Sequence, residues 1–70
     1  MKVVDLHGVR YGDVYSMLEN LCIEGDYPFV VITGNSRIMK NVVEKVVVEF
    51  GLEACEKLGN QGRLIINESR

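Results

Sequence analysis

The sequence has little that would mark a specialised class of protein. No apolar run approaches the ~18 residues that a membrane-spanning helix needs, and Met1-Lys2-Val3-Val4-Asp5 has no basic stretch leading into an apolar segment. A soluble, cytoplasmic protein with no membrane partner is expected. The two cysteines, Cys22 and Cys55, lie far apart and lack paired metal-ligand spacing. Unless the fold brings them together, they are expected to be free buried thiols, since free Cys packs as a small apolar residue. Basic excess is missing too: 8 Lys and Arg face 10 Asp and Glu, for a formal net charge of −2 and a pI of about 5.2. That balance argues against a broad electrostatic grip on nucleic acid, which shows as a basic domain, and leaves room for a local basic patch. Repeats, low-complexity tracts and Pro- or Ser-rich linkers are absent from the sequence, so residues 1–70 read as a single domain. Gly34 to Ser36 lacks the second glycine and the lysine of a P-loop, and Ser36 lacks the flanking glycines of a nucleophile elbow.

What is present is an ordinary globular composition, 47% hydrophobic and 26% charged, with room for one core in 70 residues. A chain this short buries only about 60% of the surface its unfolded form exposes. A homodimer contact or a partner protein would therefore support it.

Strand-like and helix-like segments alternate along the chain. Lys2 to Leu6 is short and β-branched and reads as a first strand. Tyr11, Val14, Tyr15, Leu18, Leu21 and Cys22 then recur at helical spacing, which predicts an amphipathic helix with both tyrosines lining the core and Gly25 ending it. Pro28 opens the continuous apolar run from Phe29 to Thr33, the pattern of a central strand covered on both faces. Asn35 or Ser36 can cap a helix beginning near Arg37. That helix is predicted to bury Ile38, Val42, Val46 and Phe50, supported by Met39 and Val43, and to leave Lys40, Asn41, Glu44, Lys45 and Glu49 in solvent. Ala54 to Leu58 and Arg63 to Asn67 read as strands joined by a turn at Gly59-Asn60-Gln61-Gly62. The order is βαβαββ. Two consecutive right-handed crossovers put both helices on one face, predicting an α/β two-layer sandwich with a four-stranded mixed sheet and an antiparallel last strand.

Candidate chemistry gathers at the carboxyl ends of the parallel strands, where open α/β sheets bind ligands. Asp5-Leu6-His7-Gly8 ends the first strand and Thr33-Gly34-Asn35-Ser36 the second, and the second loop opens a helix whose N-terminus favours an anion. Asp5 and His7, two apart on a strand, would share a face with α-carbons about 6–7 Å apart. An imidazole can transfer a proton near neutral pH, and a carboxylate can orient it or hold a divalent cation beside a phosphodiester. An acid capping a turn and a strand-end histidine bonded to backbone would give the same residue pattern. Arg10, Arg37, Lys40 and Arg63 could cluster at this edge as phosphate contacts that position nucleic acid. Ordinary solvated surface charges would read the same way.

Context comes from three motifs in order. Val4-Asp5-Leu6-His7-Gly8 is similar to the hydrophobic-Asp-Leu-His-Gly motif that opens Smr (small MutS-related) domains, and Ile32-Thr33-Gly34 resembles their second motif, Thr-Gly-x-Gly or His-Gly-x-Gly. Gly62-Arg63-Leu64-Ile65-Ile66 resembles the strand that closes those domains. The resemblance spans essentially the whole chain, with the first motif its specific part. It implies a fold similar to the C-terminal domain of bacterial translation initiation factor three, and DNA-nicking or RNA-cleaving activity. It also maps the catalytic Asp and His onto Asp5 and His7. Ser36 departs from the pattern, standing where the family has its second glycine, which bears on how a phosphate approaches more than on the fold. The resulting expectation is a nucleic-acid endonuclease acting on DNA or RNA. Catalysis is assigned to Asp5 and His7, and binding to Gly8, Arg10, Thr33, Gly34, Asn35, Ser36, Arg37, Lys40 and Arg63. Magnesium or manganese is the candidate cofactor, with Asp5 its candidate ligand. A non-cutting module for branched or structured nucleic acid and a protein-interaction domain are the alternatives.

Overall fold

A computed structural model describes residues 1–57 and 59–69, with the side chains of Lys57, Asn60 and Gln61 outside the description. The expected end of the third strand at Leu58 therefore lies outside the described residues. The elements are β1 (Val3–Asp5), a 3-10 turn (Tyr11–Asp13) leading into α1 (Val14–Glu24), β2 (Phe29–Ile32), α2 (Arg37–Glu49), β3 (Leu52–Lys57) and β4 (Asn60–Glu68). They form a four-stranded sheet in the order β1-β2-β4-β3. β1 and β2 are parallel, while β4 runs antiparallel to both β2 and β3. The apolar Phe29 run is thus interior and the last strand alone is reversed, as the apolar run and the hairpin turn predicted.

Register explains which side chains make the core. Phe29 stands opposite Ile66 and Val31 opposite Leu64, and directly opposed residues project to the same face of a sheet. These four are fully or almost fully buried together with Val14, Leu18 and Cys22 of α1 and Met39, Val43, Val46 and Val47 of α2. Both helices therefore cover one face. The alternate positions Val3, Asp5, Val30, Ile32, Arg63, Ile65 and Cys55 lie on the other, which no helix covers.

Local chemistry sets the helix ends. α1 stops at Gly25, whose φ of 82° is the left-handed conformation that terminates helices and that a β-carbon would oppose. α2 starts one residue after Ser36, whose Oγ accepts a hydrogen bond from the Met39 N–H at 3.1 Å. Ser36 is the N-cap, one of the two candidates.

Several expectations are corrected here. Tyr11 and Tyr15 do not line the core: they are 48% and 42% exposed, because Tyr11 belongs to the 3-10 turn before the helix proper and Tyr15 lies on the rim of α1. The buried stripe of α2 is turned by about one residue, with Val47 inside and Ile38 59% exposed. Lys40, placed in solvent by its charge, is buried. Asn60 and Gln61 belong to β4 rather than to the turn, and the irregularity falls at Glu56/Lys57, where Glu56 pairs with Leu64 but Lys57 with Asn60. Of the thiols, Cys22 is in the core but Cys55 is exposed, since it stands opposite Ile65 on the uncovered face of an edge strand. Among the described residues no helix is long and apolar enough to cross a membrane.

Candidate functional site

The loops after β1 and β2 and the start of β4 meet at one end of the sheet. Leu6 extends the β1 pairing by donating its N–H to the Ile32 carbonyl at 2.9 Å, and the chain then turns, with the Val9 N–H bonded to the Leu6 carbonyl at 3.0 Å. On the neighbouring loop, the Gly62 carbonyl accepts from the N–H groups of Thr33 at 2.9 Å and Gly34 at 3.1 Å, and from Thr33 Oγ1 at 3.4 Å. The first residues of β4 thus clamp the second loop. Gly34 sits at φ 63°, and a β-carbon there would lie 3.9 Å from His7 Cδ2, so the imidazole rests beside this glycine.

Between the two loops lies a shallow cleft of about 280 Å³, lined by Leu6, His7, Gly8, Val9, Arg10, Tyr11, Thr33, Ser36 and Met39. His7, Gly8, Arg10, Thr33 and Ser36 are therefore brought together as expected. Asn35 is exposed at the tip of the second loop. Arg63 stands opposite Ile32, as Asp5 does on the other side, so Asp5 and Arg63 flank β2 on the uncovered face, about 10 Å apart by strand spacing.

Asp5 does not share a strand face with His7. Regular pairing of β1 ends at Asp5, and its Oδ1 accepts the His7 backbone N–H at 2.9 Å, closing a turn in which strand alternation no longer applies. The carboxylate fixes the backbone that carries the imidazole. Among the described residues no group of three His, Cys, Asp or Glu side chains could together hold a metal ion. Asp5 has one carboxylate oxygen engaged by the turn and the other without a hydrogen-bond partner among the described residues.

The cations divide into two kinds. Arg37 and Lys40 both reach Glu56 Oε1, at 3.4 and 3.2 Å, while Arg10 and Arg63 make no ion pair among the described residues. Of these two contacts the Lys40 one counts for more, because its side chain is 5% exposed against 67% for Arg37, and an exposed ion pair is screened by water. Hydrogen bonding and charge from Lys40, with a smaller effect of Arg37, hold the Glu56 carboxyl below its ordinary 4.5. Because the folded value is depressed, the stability contributed by Glu56 is fully present above the unfolded value and is lost as pH falls through the folded one. Glu56→Gln should therefore melt lower than the parent at neutral pH but converge with it in acid, which thermal melts across the carboxylate range will check.

Sequence reasoning missed Tyr11 as a cleft residue and Glu56 as the partner of two candidate phosphate contacts. Gly12, directly after Tyr11, was the available sign that the regular helix begins later. Glu56 lies 16 residues from Lys40 and left no local signal. Ser36, the departure from the glycine motif, directs its Oγ back to the Met39 N–H. No family model matches the chain, and comparison with curated proteins and with solved structures gives no significant match.

Proposed function

We propose that this domain cleaves phosphodiester bonds in a nucleic-acid strand, with His7 as the proton-transfer group. The observation that carries the reading is the exposed imidazole of His7 in one cleft with Arg10, a cation with no ion-pair partner among the described residues. A neutral imidazole there takes the proton of the attacking oxygen as its bond to phosphorus forms, and the imidazolium returns a proton to the leaving oxygen as the old bond breaks. Arg10 holds the non-bridging oxygens, Arg63 receives the backbone at the mouth of the second loop, and Asp5 fixes the loop that carries His7. Two free thiols fit action in the reducing cytoplasm.

A second reading, a module that binds nucleic acid without cutting it, is favoured by Glu56, which covers two of the four candidate phosphate contacts.

The test is a binding titration against salt together with single-turnover cleavage of single-stranded, duplex and branched DNA and RNA, with and without magnesium or manganese. Affinity is expected to fall with salt, and Arg10→Ala should shrink the slope by about 0.7–0.9, the value of one phosphate contact. Arg37→Ala should shrink it less, since Glu56 already engages that side chain. Binding without cleavage selects the second reading. Failure to bind at low salt removes both and leaves a protein-interaction domain.

A further inference from the structure

The chain has three tyrosines, and packing accounts for two of them. Tyr15 lies against Phe50, ring centres 5.7 Å apart, and Tyr27 lies against Phe29 at 6.3 Å while its hydroxyl donates to the Cys22 carbonyl. Tyr11 has neither a ring contact nor a side-chain hydrogen bond among the described residues. It is nonetheless held on a 3-10 turn, 48% exposed, in the wall of the cleft that contains His7 and Arg10. A large aromatic ring left half in water in the wall of a mixed polar and apolar cleft has no ring or hydrogen-bond partner among the described residues that accounts for it.

We infer that Tyr11 is a stacking platform for one unpaired nucleobase, which makes single-stranded nucleic acid the substrate class of the cleft. The inference rests on the proposed nucleic-acid reading and deepens it. In a duplex both faces of each base are covered by neighbours, so only an unstacked base can lie on the ring. The neighbouring Arg10 supplies the cation that non-specific single-strand sites combine with such aromatics along the backbone. At about 280 Å³ the cleft falls just below the range of about 300–1,000 Å³ that takes whole small ligands, which suits one part of a polymer held mainly from outside. A base stacked at Tyr11 places the adjoining phosphate beside Arg10 and His7, so the same contact selects strandedness and positions the bond to be cut.

The experiment measures fluorescence anisotropy of labelled single-stranded DNA, single-stranded RNA and the corresponding duplex at low salt, for the parent, Tyr11→Phe and Tyr11→Leu. Phenylalanine keeps the π-face; leucine keeps apolar bulk without it. Tyr11→Leu is expected to weaken single-strand binding by about tenfold, within the span of one base–aromatic stack, and to change duplex binding little. Tyr11→Phe should match the parent. A second measurement acts on the ligand: walking one abasic position along the strand should reveal a site where the parent loses about tenfold and Tyr11→Leu loses almost nothing further. If the parent binds single strands but no abasic position weakens it, or if Tyr11→Leu binds like the parent, the stacking assignment is overturned and the role of His7 stands. If the parent binds neither strand nor duplex, the nucleic-acid reading falls and the inference with it. Comparison of the DNA and RNA arms shows whether the site senses the 2′-hydroxyl.

Discussion

His7→Ala is expected to lower the single-turnover rate of strand cleavage by about 10²–10⁴-fold, the usual contribution of a positioned acid–base group, while leaving binding and melting temperature close to the parent. The fold should survive because the side chain is exposed and does not enter the core, and because the hydrogen bond at this residue is made by its backbone N–H, which alanine retains. Loss of cleavage without loss of binding would place His7 in the chemistry. Asp5→Asn is the informative companion: an amide oxygen can still accept from the His7 N–H, so the turn is kept while the charge is removed. A modest fall in rate would mean that Asp5 acts chiefly by holding the loop. A fall as large as that of His7→Ala would mean that the charge itself is used. Cleavage by His7→Ala at the parental rate would sink the enzymatic reading.

The largest effect on stability is expected at Phe29. Its side chain is fully buried on the interior strand, opposite Ile66 and against Tyr27. Truncation to alanine removes the ring and leaves a cavity that a sheet fixed on both sides cannot close. Such changes cost about 3–5 kcal/mol, against about 4–10 kcal/mol for the whole of a domain this size at typical stability per residue. The melting temperature should fall by more than about 10 °C, with much of the chain unfolded at the low end of that range. Ile38→Ala makes the contrast. Ile38 is 59% exposed, so its truncation should change stability by no more than about 0.5 kcal/mol. Circular-dichroism melts of the two variants test the sheet register and the rotation of α2 together; an equal loss at both positions would contradict the packing described.

The legible parts of this fold were those governed by short-range pattern. An uninterrupted apolar run bounded by turn residues identified the interior strand, and the paired cap candidates Asn35 and Ser36 placed the start of α2 near Arg37. Crossover handedness then placed both helices on one face, and the turn near Gly59 reversed the last strand. Long-range contacts were not legible. In α2, apolar residues at 42, 43, 46, 47 and 48 make a stripe so broad that periodicity cannot choose its centre, and packing against β3 and α1 chose it instead. Lys40 could be buried because Glu56 approaches from β3, a partner that spacing does not reveal. At the site, the Asp-x-His pattern predicted a shared strand face, but the acid was better satisfied by capping the turn than by continuing the strand. The glycine loops were found because backbone geometry has a sequence signature. The open ring of Tyr11 was not, because exposure depends on what fails to cover a residue.

The position of β4 between β2 and β3 also governs how the domain can be made. The last of the four strands in chain order occupies a central slot, and until residues 60–68 have emerged, β2 lacks its antiparallel neighbour and β3 has no strand of this sheet beside it. The two βα units cannot close their sheet as they leave the ribosome. Until β4 emerges, Phe29 and Val31 lack Leu64 and Ile66 as their neighbours on the helix-covered face. A nascent chain stalled before β4 is therefore expected to expose an apolar β2 and a bare β3, the kind of unpaired edge that aggregates or recruits chaperones.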